Sequence, residues 1–240
     1  MSKSLIVITG ATSGIGLETA RLFNTKDHPL LLIGRDWSKV DKSEFNNVMF
    51  AQVDVTDHTK LQETISEAES KYGPTDLLVN NAGVMLLNPL DKQEPSEWQT
   101  MVNVNILGVM NGMQAVLTQM KKRQHGTIIN VSSIAGIKPF PNHAAYTATK
   151  FAVHGLSDNV REEVALDNIR VITLAPGAVE TPLLSHTNND QIKQDYAKWK
   201  KEMGGVLTPQ DIANTILFAY QQPQQVCLRE IVLSATAQVQ

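Results

Sequence analysis

Tyr146 and Lys150 stand four residues apart in a stretch that reads as a helix from Ala144 to about Leu166, so they share one face. A free tyrosine, with a pKa of about 10, carries protons poorly at neutral pH. An ammonium beside it favours the phenolate and pulls that pKa down. Such a pair could give a proton to a carbonyl oxygen or take one from an alcohol. The spacing is common, however, and an ordinary surface pair would look the same.

A second group of residues offers a seat for phosphate. Thr9-Gly10-Ala11-Thr12-Ser13-Gly14-Ile15-Gly16 lies between an apolar run and an amphipathic helix. Gly10 permits a tight turn, Gly14 lets the backbone approach a phosphate, and Gly16 lets the helix pack closely. The helix N-terminus then presents free N–H groups and partial positive charge to a pyrophosphate. The spacing departs from G-x-G-x-x-G, so a plain strand-to-helix turn remains open. Gly34-Arg35-Asp36 ends the second apolar run. An acid at that strand end would hold the ribose 2′-hydroxyl of NAD, whereas an arginine accommodates the 2′-phosphate of NADP. Gly34 supplies no acid and Arg35 supplies a guanidinium fork, which favours NADP(H) over NAD(H). Asp36 works against it, because a carboxylate there would repel the phosphate.

The elements that must position these groups follow from the apolar pattern. Strands are expected at Leu5–Ile8, Pro29–Ile33, Val48–Val53, Leu77–Val79, Thr127–Val131, Val171–Leu174 and Glu230–Leu233. Helices are expected from Ile15 to Thr25, from a Thr56 or Asp57 cap to about Tyr72, and from a Ser96 cap to about Lys122. Further helices cover Gln191–Met203 and Thr208 to about Gln221. Strands that are apolar on both faces and alternate with helices imply a parallel sheet covered on both sides. The expected architecture is one α/β domain over residues 1–240. It is a doubly wound Rossmann fold with a seven-stranded parallel sheet and helices on both faces. Ligands of such sheets bind at the carboxyl ends of the strands. Residues 178–205 are irregular and polar in the middle, and are expected to form a mobile substrate loop with a lid helix anchored by Trp199.

Composition removes several function classes. Lys and Arg total 21 against 24 Asp and Glu, a net charge of −3, which gives no footprint for nucleic acid or an anionic membrane. Hydrophobic residues make up 42% and charged residues 19%, an ordinary globular balance. Cys227 is the single cysteine, so an internal disulfide and a cysteine-rich metal site are excluded. The six histidines show no metal-ligand spacing, and no metal is expected; His143, three residues before Tyr146, could line a pocket. Met110, Met113 and Met120 read as helix-interface packing. No apolar run is long enough for a membrane span and the first is too short for a secretory leader, so a cytoplasmic protein is expected.

Thr9–Gly16, Asp54-Val55, Asn80-Asn81-Ala82-Gly83, Asn105-Ile106-Leu107-Gly108, Ser132-Ser133, Tyr146-x-x-x-Lys150 and Pro176-Gly177 together resemble the short-chain dehydrogenase/reductase family. The motifs come in the family's order and span essentially the whole chain. More narrowly, Ala144–Lys150 and Val206–Leu233 resemble the NADP-dependent 3-hydroxy acid (serine) dehydrogenases and the NADPH-binding blue fluorescent members of the family.

The resemblance implies an NADP(H)-dependent oxidoreductase acting on a small carbonyl or alcohol, or alternatively an NADPH-binding fluorescent protein with little turnover. It implies that Ser133 holds the substrate oxygen, with Ser132 the lesser candidate, and that Tyr146 delivers the proton. Lys150 would hold the nicotinamide ribose, and Asn105, at a helix kink, would position a water leading from Lys150 to solvent. Asp54 and Val55 would meet adenine, and Asn81, Ala82 and Gly83 the adenosine ribose. Pro176, Gly177, Val179 and Thr181 would orient the nicotinamide. Met85, Leu86, Leu87, Pro139, Phe140, His143, Leu183 and Leu184, with Trp199 and Met203, would line the substrate pocket. A homodimer or homotetramer built on the helices around Val104–Met120 and Thr147–Leu166 is also implied.

Overall fold

The computed structural model describes residues 3–238. Seven strands form one parallel sheet: β1 (Leu5–Thr9), β2 (Leu30–Gly34), β3 (Val48–Gln52), β4 (Thr75–Asn80), β5 (Gly126–Val131), β6 (Ile169–Pro176) and β7 (Glu230–Leu233). Their order across the sheet is β3-β2-β1-β4-β5-β6-β7. Every residue of β1 and β2 is buried, as a strand covered on both faces requires. Alternate side chains of β1 enter opposite cores. Leu5 and Val7 pack among residues of the helices α2 (His58–Tyr72), α4 (Gly108–Arg123) and α5 (Ala144–Glu163). Ile6 and Ile8 pack with α1 (Gly14–Asn24) and α7 (Pro209–Gln221).

Helix α3 (Pro95–Val102) runs into α4 through a wider π turn at Asn103–Leu107, so the single long helix expected from Ser96 is continuous but locally underwound. Its cap differs from expectation: Glu94 is the N-cap and Pro95 takes the first turn, where a missing N–H costs nothing. Asp57 caps α2 as expected, accepting from Lys60 N. Met113 and Met120 are buried in the interface with the sheet, but Met110 is 44% exposed and faces outward. Helix α6 (Asp190–Glu202) lies in the segment after β6. Among the described residues no helix is long and apolar enough to cross a membrane.

The strand order changes direction between β1 and β4, and this opens a crevice at their carboxyl ends. One side chain ties the two ends together. Thr9 Oγ1 accepts from Asn81 N at 3.0 Å and from Ala82 N at 3.1 Å, and Asn81 Nδ2 donates back to Thr9 O and Gly10 O at 3.0 and 3.1 Å. Behind this clamp, a buried polar chain runs from Asn80 through Asn130 to Ser157, with both links at 2.9 Å. Thr9→Val keeps the shape but leaves two enclosed amide donors unpaired. The variant is expected to unfold at lower urea concentration by about 2 kcal/mol, read from equilibrium denaturation.

Candidate active site

The glycine turn after β1 is built as its sequence suggests. Gly10 has φ +65° and Gly14 φ +52°, the left-handed region that side chains resist. A Cβ at Gly10 would lie 2.7 Å from Ala82 Cα, and one at Gly16 would press on Gly10 O. Ser13 precedes α1 without a side-chain cap, so the first amides of that helix remain free for an anion. Gly34, at the end of β2, is filled from outside by the Thr12 methyl, which sits where an acidic side chain would otherwise start. Arg35 is exposed at the rim. Asp36 accepts from Ser38 N at 2.9 Å, and its bonds to Ser38 hold its pKa below the usual range. It therefore stays a carboxylate at the cavity rim, where it opposes a phosphate.

One cavity of about 800 Å³ joins this turn to the far side of the sheet. Its walls include Gly10, Thr12, Ser13, Gly14, Ile15 and Arg35 at one end, Asp54, Val55 and Asn81–Val84 along the middle, and Ser133, Tyr146 and Lys150 at the other. Pro176, Gly177, Val179 and Thr181 close the side. The cavity suits a long dinucleotide, and the free amides and the two left-handed glycines suit its phosphates.

The sequence-derived residues take different parts in this arrangement. Asp54 lines the cavity while its carboxylate accepts from Thr56 N and Oγ1 at 2.9 and 2.8 Å. Asn81, expected to meet the ribose, lines the cavity and spends its amide protons on the glycine turn. Asn105, expected at a helix kink to position a water, does lie in the π turn. Both its amide protons are used, toward Val84 O at 2.9 Å and Thr149 Oγ1 at 3.1 Å, and its oxygen accepts from Val84 N at 2.9 Å. Its side chain therefore pins the strand end beside Gly83. Any water relay at that position must use the backbone, which the π turn loosens.

Both serines border the cavity, but the Ser132 hydroxyl is buried and donates to Lys150 O at 3.2 Å, whereas Ser133 starts a short helical turn, accepting from Ala135 N at 3.1 Å. That difference agrees with the preference for Ser133 drawn from the sequence. Lys150, 6% exposed, donates from Nζ to Val131 O at 3.0 Å, and its nitrogen lies 5.7 Å from the centre of the Tyr146 ring. Tyr146 is 5% exposed.

The expected lowering of the Tyr146 pKa is overturned. Burial, the largest influence, pushes it upward; the nearby Ser133 hydroxyl opposes, and Tyr196 adds to the rise. Burial also brings Lys150 down to about 8. Both shifts have one cause: a dry wall disfavours charge on either group. At neutral pH the pair is a phenol beside an ammonium, which is a proton donor rather than a base.

The substrate end holds Met85, Pro139, Phe140, His143, Leu183, Leu184 and Trp199 as expected. Leu86, Leu87 and Met203 do not line it; Leu87 and Met203 are buried behind the wall, at 2% and 9% exposure. On α6, Ile192 is the buried anchor, packed with Met85, Met101 and Tyr146, in place of the half-buried Trp199. Tyr196 stacks edge-on against Trp199 at 5.2 Å, and Lys200 pairs with Glu180 at 2.7 Å. Ile192, Tyr196, Trp199 and Lys200 follow a helical period, a signal in the sequence that identifies one inward face. Gln238, which accepts from Ala178 N at 3.0 Å at the cavity wall, carried no such signal.

A family model described as short chain dehydrogenase matches residues 4–192. The chain belongs to the short-chain dehydrogenase family. An uncharacterized oxidoreductase of Staphylococcus saprophyticus is 36% identical over 244 residues, covering 99% of this chain and 98% of that protein. Among solved structures, the closed form of a serine dehydrogenase complexed with NADP+ superposes with TM-score 0.89 at 30% identity, covering 98% of this chain and 96% of the other. An alcohol dehydrogenase from the archaeon Thermococcus sibiricus, complexed with 5-hydroxy-NADP, gives 0.86 at 26% identity, with 99% of each chain covered. The chain is thus an oxidoreductase of the short-chain dehydrogenase type with a nicotinamide-binding fold.

The buried lysine makes stability depend on pH. Its pKa is about 8 in the folded protein and about 10.4 unfolded, so between those values the unfolded chain binds more protons and stability rises with pH. Below pH 8 both states are protonated and the burial penalty is fully present. The protein without added cofactor is expected to gain on the order of 2 kcal/mol from pH 8 to pH 10, and Lys150→Met is expected to lack that gain. Urea midpoints of the two proteins across this range measure it.

Proposed function

We propose that this protein is an NADP(H)-dependent oxidoreductase that moves hydride between nicotinamide and a small carbonyl or alcohol. The observation that carries the reading is the convergence of Ser133, Tyr146 and Lys150 at one end of a continuous cavity whose other end holds the glycine turn and Arg35. Bound there, the nicotinamide supplies or accepts the hydride. The free amides at the start of α1 hold the pyrophosphate, and Arg35 meets the 2′-phosphate. Asp54 and Val55 border the adenine, and Ala82 and Gly83 the adenosine ribose. Pro176, Gly177, Val179 and Thr181 orient the nicotinamide end.

The protein's part in the chemistry is proton supply and charge stabilisation. Negative charge grows on the substrate oxygen as carbonyl is reduced, and the hydroxyls of Ser133 and Tyr146 are placed to meet it. Tyr146 donates its proton to that oxygen. Lys150 anchors the ribose and, as an ammonium, stabilises the tyrosinate left behind. Asn105 holds the Val84 backbone that shapes this end. Residues 178–205 act as a lid: α6 lays Ile192, Tyr196 and Trp199 over the substrate and keeps water out.

The apolar lining and the neutralisation of Lys200 by Glu180 favour an uncharged aldehyde or ketone. A 3-hydroxy acid is the second reading, favoured by Lys138, which lines the cavity with no carboxylate within 4.0 Å among the described residues. An enclosed nicotinamide end also favours enhanced blue emission from bound NADPH. The exposed Leu107, Met110 and Phe151 on the long helices support a homo-oligomer.

Two substitutions test the reading. Tyr146→Phe removes the proton donor and is expected to lower carbonyl-dependent NADPH oxidation by about a hundredfold or more, while an NADPH titration followed by blue emission still shows binding. Turnover surviving in that variant over a panel of aldehydes, ketones and oxo acids defeats the reading. Arg35→Ser is expected to weaken NADPH binding about tenfold and leave NADH binding unchanged. Equal losses for both cofactors would remove the 2′-phosphate role.

A further inference from the structure

We propose that His143 selects carbonyl substrates that carry a hydroxyl on the carbon beside the reacting one. The inference rests on the oxidoreductase reading above and names its substrate class.

His143 occupies the N-cap position of α5, yet its side chain makes no capping bond. Its Nδ1 instead lies 2.6 Å from Pro141 O. A carbonyl oxygen can only accept, so Nδ1 carries the proton. Burial pushes the ring's pKa down, so at neutral pH the second nitrogen, Nε2, is a bare acceptor. The Pro141 contact thus fixes both the ring's orientation and its tautomer, as an outer partner does for a metal-bound histidine.

His143 shares a cavity with Tyr146. His143 lines the cavity, and its Nε2 has no partner among the described residues and is not sealed in the protein. The ring centre is 6.1 Å from the Tyr146 ring and 5.6 Å from Phe140, so the imidazole neighbours both the proton donor and an apolar ring. Lys138 sits over Phe140, 4.9 Å from its centre, beyond the His143 contact.

A substrate whose oxygen is held by Tyr146 therefore places its adjacent carbon beside a lone pair. A hydroxyl there donates to Nε2. A hydrogen or methyl leaves the nitrogen unpaired, and a carboxylate sets lone pair against lone pair. In the reductive direction the carbonyl gains hydride from NADPH at carbon and a proton from Tyr146 at oxygen. The neighbouring hydroxyl is unchanged, and the products are a vicinal diol and NADP+.

Hydroxyacetone and acetone are a matched pair for the test, differing by one hydroxyl. Wild-type protein is expected to prefer hydroxyacetone about tenfold or more in kcat/KM, the scale of one hydrogen bond made or left unmade. His143→Leu is expected to bring the ratio near one by lowering kcat/KM for hydroxyacetone about tenfold more than for acetone. His143→Gln, whose amide oxygen can accept, is expected to keep part of the preference.

Both compounds are also titrated onto the Tyr146→Phe protein loaded with NADPH, with tryptophan emission as readout. A preference that appears in binding without turnover in the wild type upholds the selector and defeats the oxidoreductase reading. Turnover of both ketones with a ratio near one, or a ratio unmoved by His143→Leu, overturns the selector and leaves the oxidoreductase reading intact.

Discussion

A lysine ammonium buried in a protein wall needs an acceptor, and here Val131 O, at the carboxyl end of a central strand, provides it. That contact fixes where α5 crosses the sheet. Because Tyr146 is one turn earlier on the same helix, it also fixes where the phenol stands. Ser133 follows β5 by two residues, so strand, serine, tyrosine and lysine form a single rigid unit. A helix shift of one residue would turn the phenol away and strand the charge in a dry site, and the cost of such a charge keeps the register.

Burial has a second consequence. The same dryness that lowers Lys150 raises Tyr146, so the protein by itself stores a proton on the phenol. A phenol that is to give up a proton requires that starting state. The crevice facing this unit is held by Thr9 and Asn81, which join the two diverging strand ends with four hydrogen bonds. Two polar clamps, one on each side of the cavity, thus do what apolar packing alone could not: they define distances between loops.

The α6 segment adds a wall to the cavity, with Ile192, Tyr196 and Trp199 on its inner face. Its polar loop, residues 186–190, is tied back to the body through Thr187, which accepts from Leu87 N at 3.2 Å and donates to Met85 O at 3.1 Å. The wall is therefore keyed to the same strand end that Asn105 grips. The α6 wall and the grip of Asn105 thus meet at one segment, Val84–Leu87.

The sequence by itself determined the layered fold, because runs such as Leu5–Ile8 and Thr127–Val131 are apolar on both faces and can only be central parallel strands. It also determined the glycine turn and the pairing of Tyr146 with Lys150, since left-handed backbone and helical spacing are local properties. What it could not decide was how polar side chains divide between structure and chemistry. Asn81 and Asn105 read as ligand contacts and prove also to clamp neighbouring loops, and Ser132 proves to spend its hydroxyl on the Lys150 backbone. The direction of the Tyr146 shift was misjudged for the same reason: proximity to a cation is visible along the chain, but desolvation is set by residues distant in sequence. Hydrogen-bond partners 100 or more positions apart, such as Leu87 with Thr187 and Asp76 with Tyr220, exist only once the chain has folded.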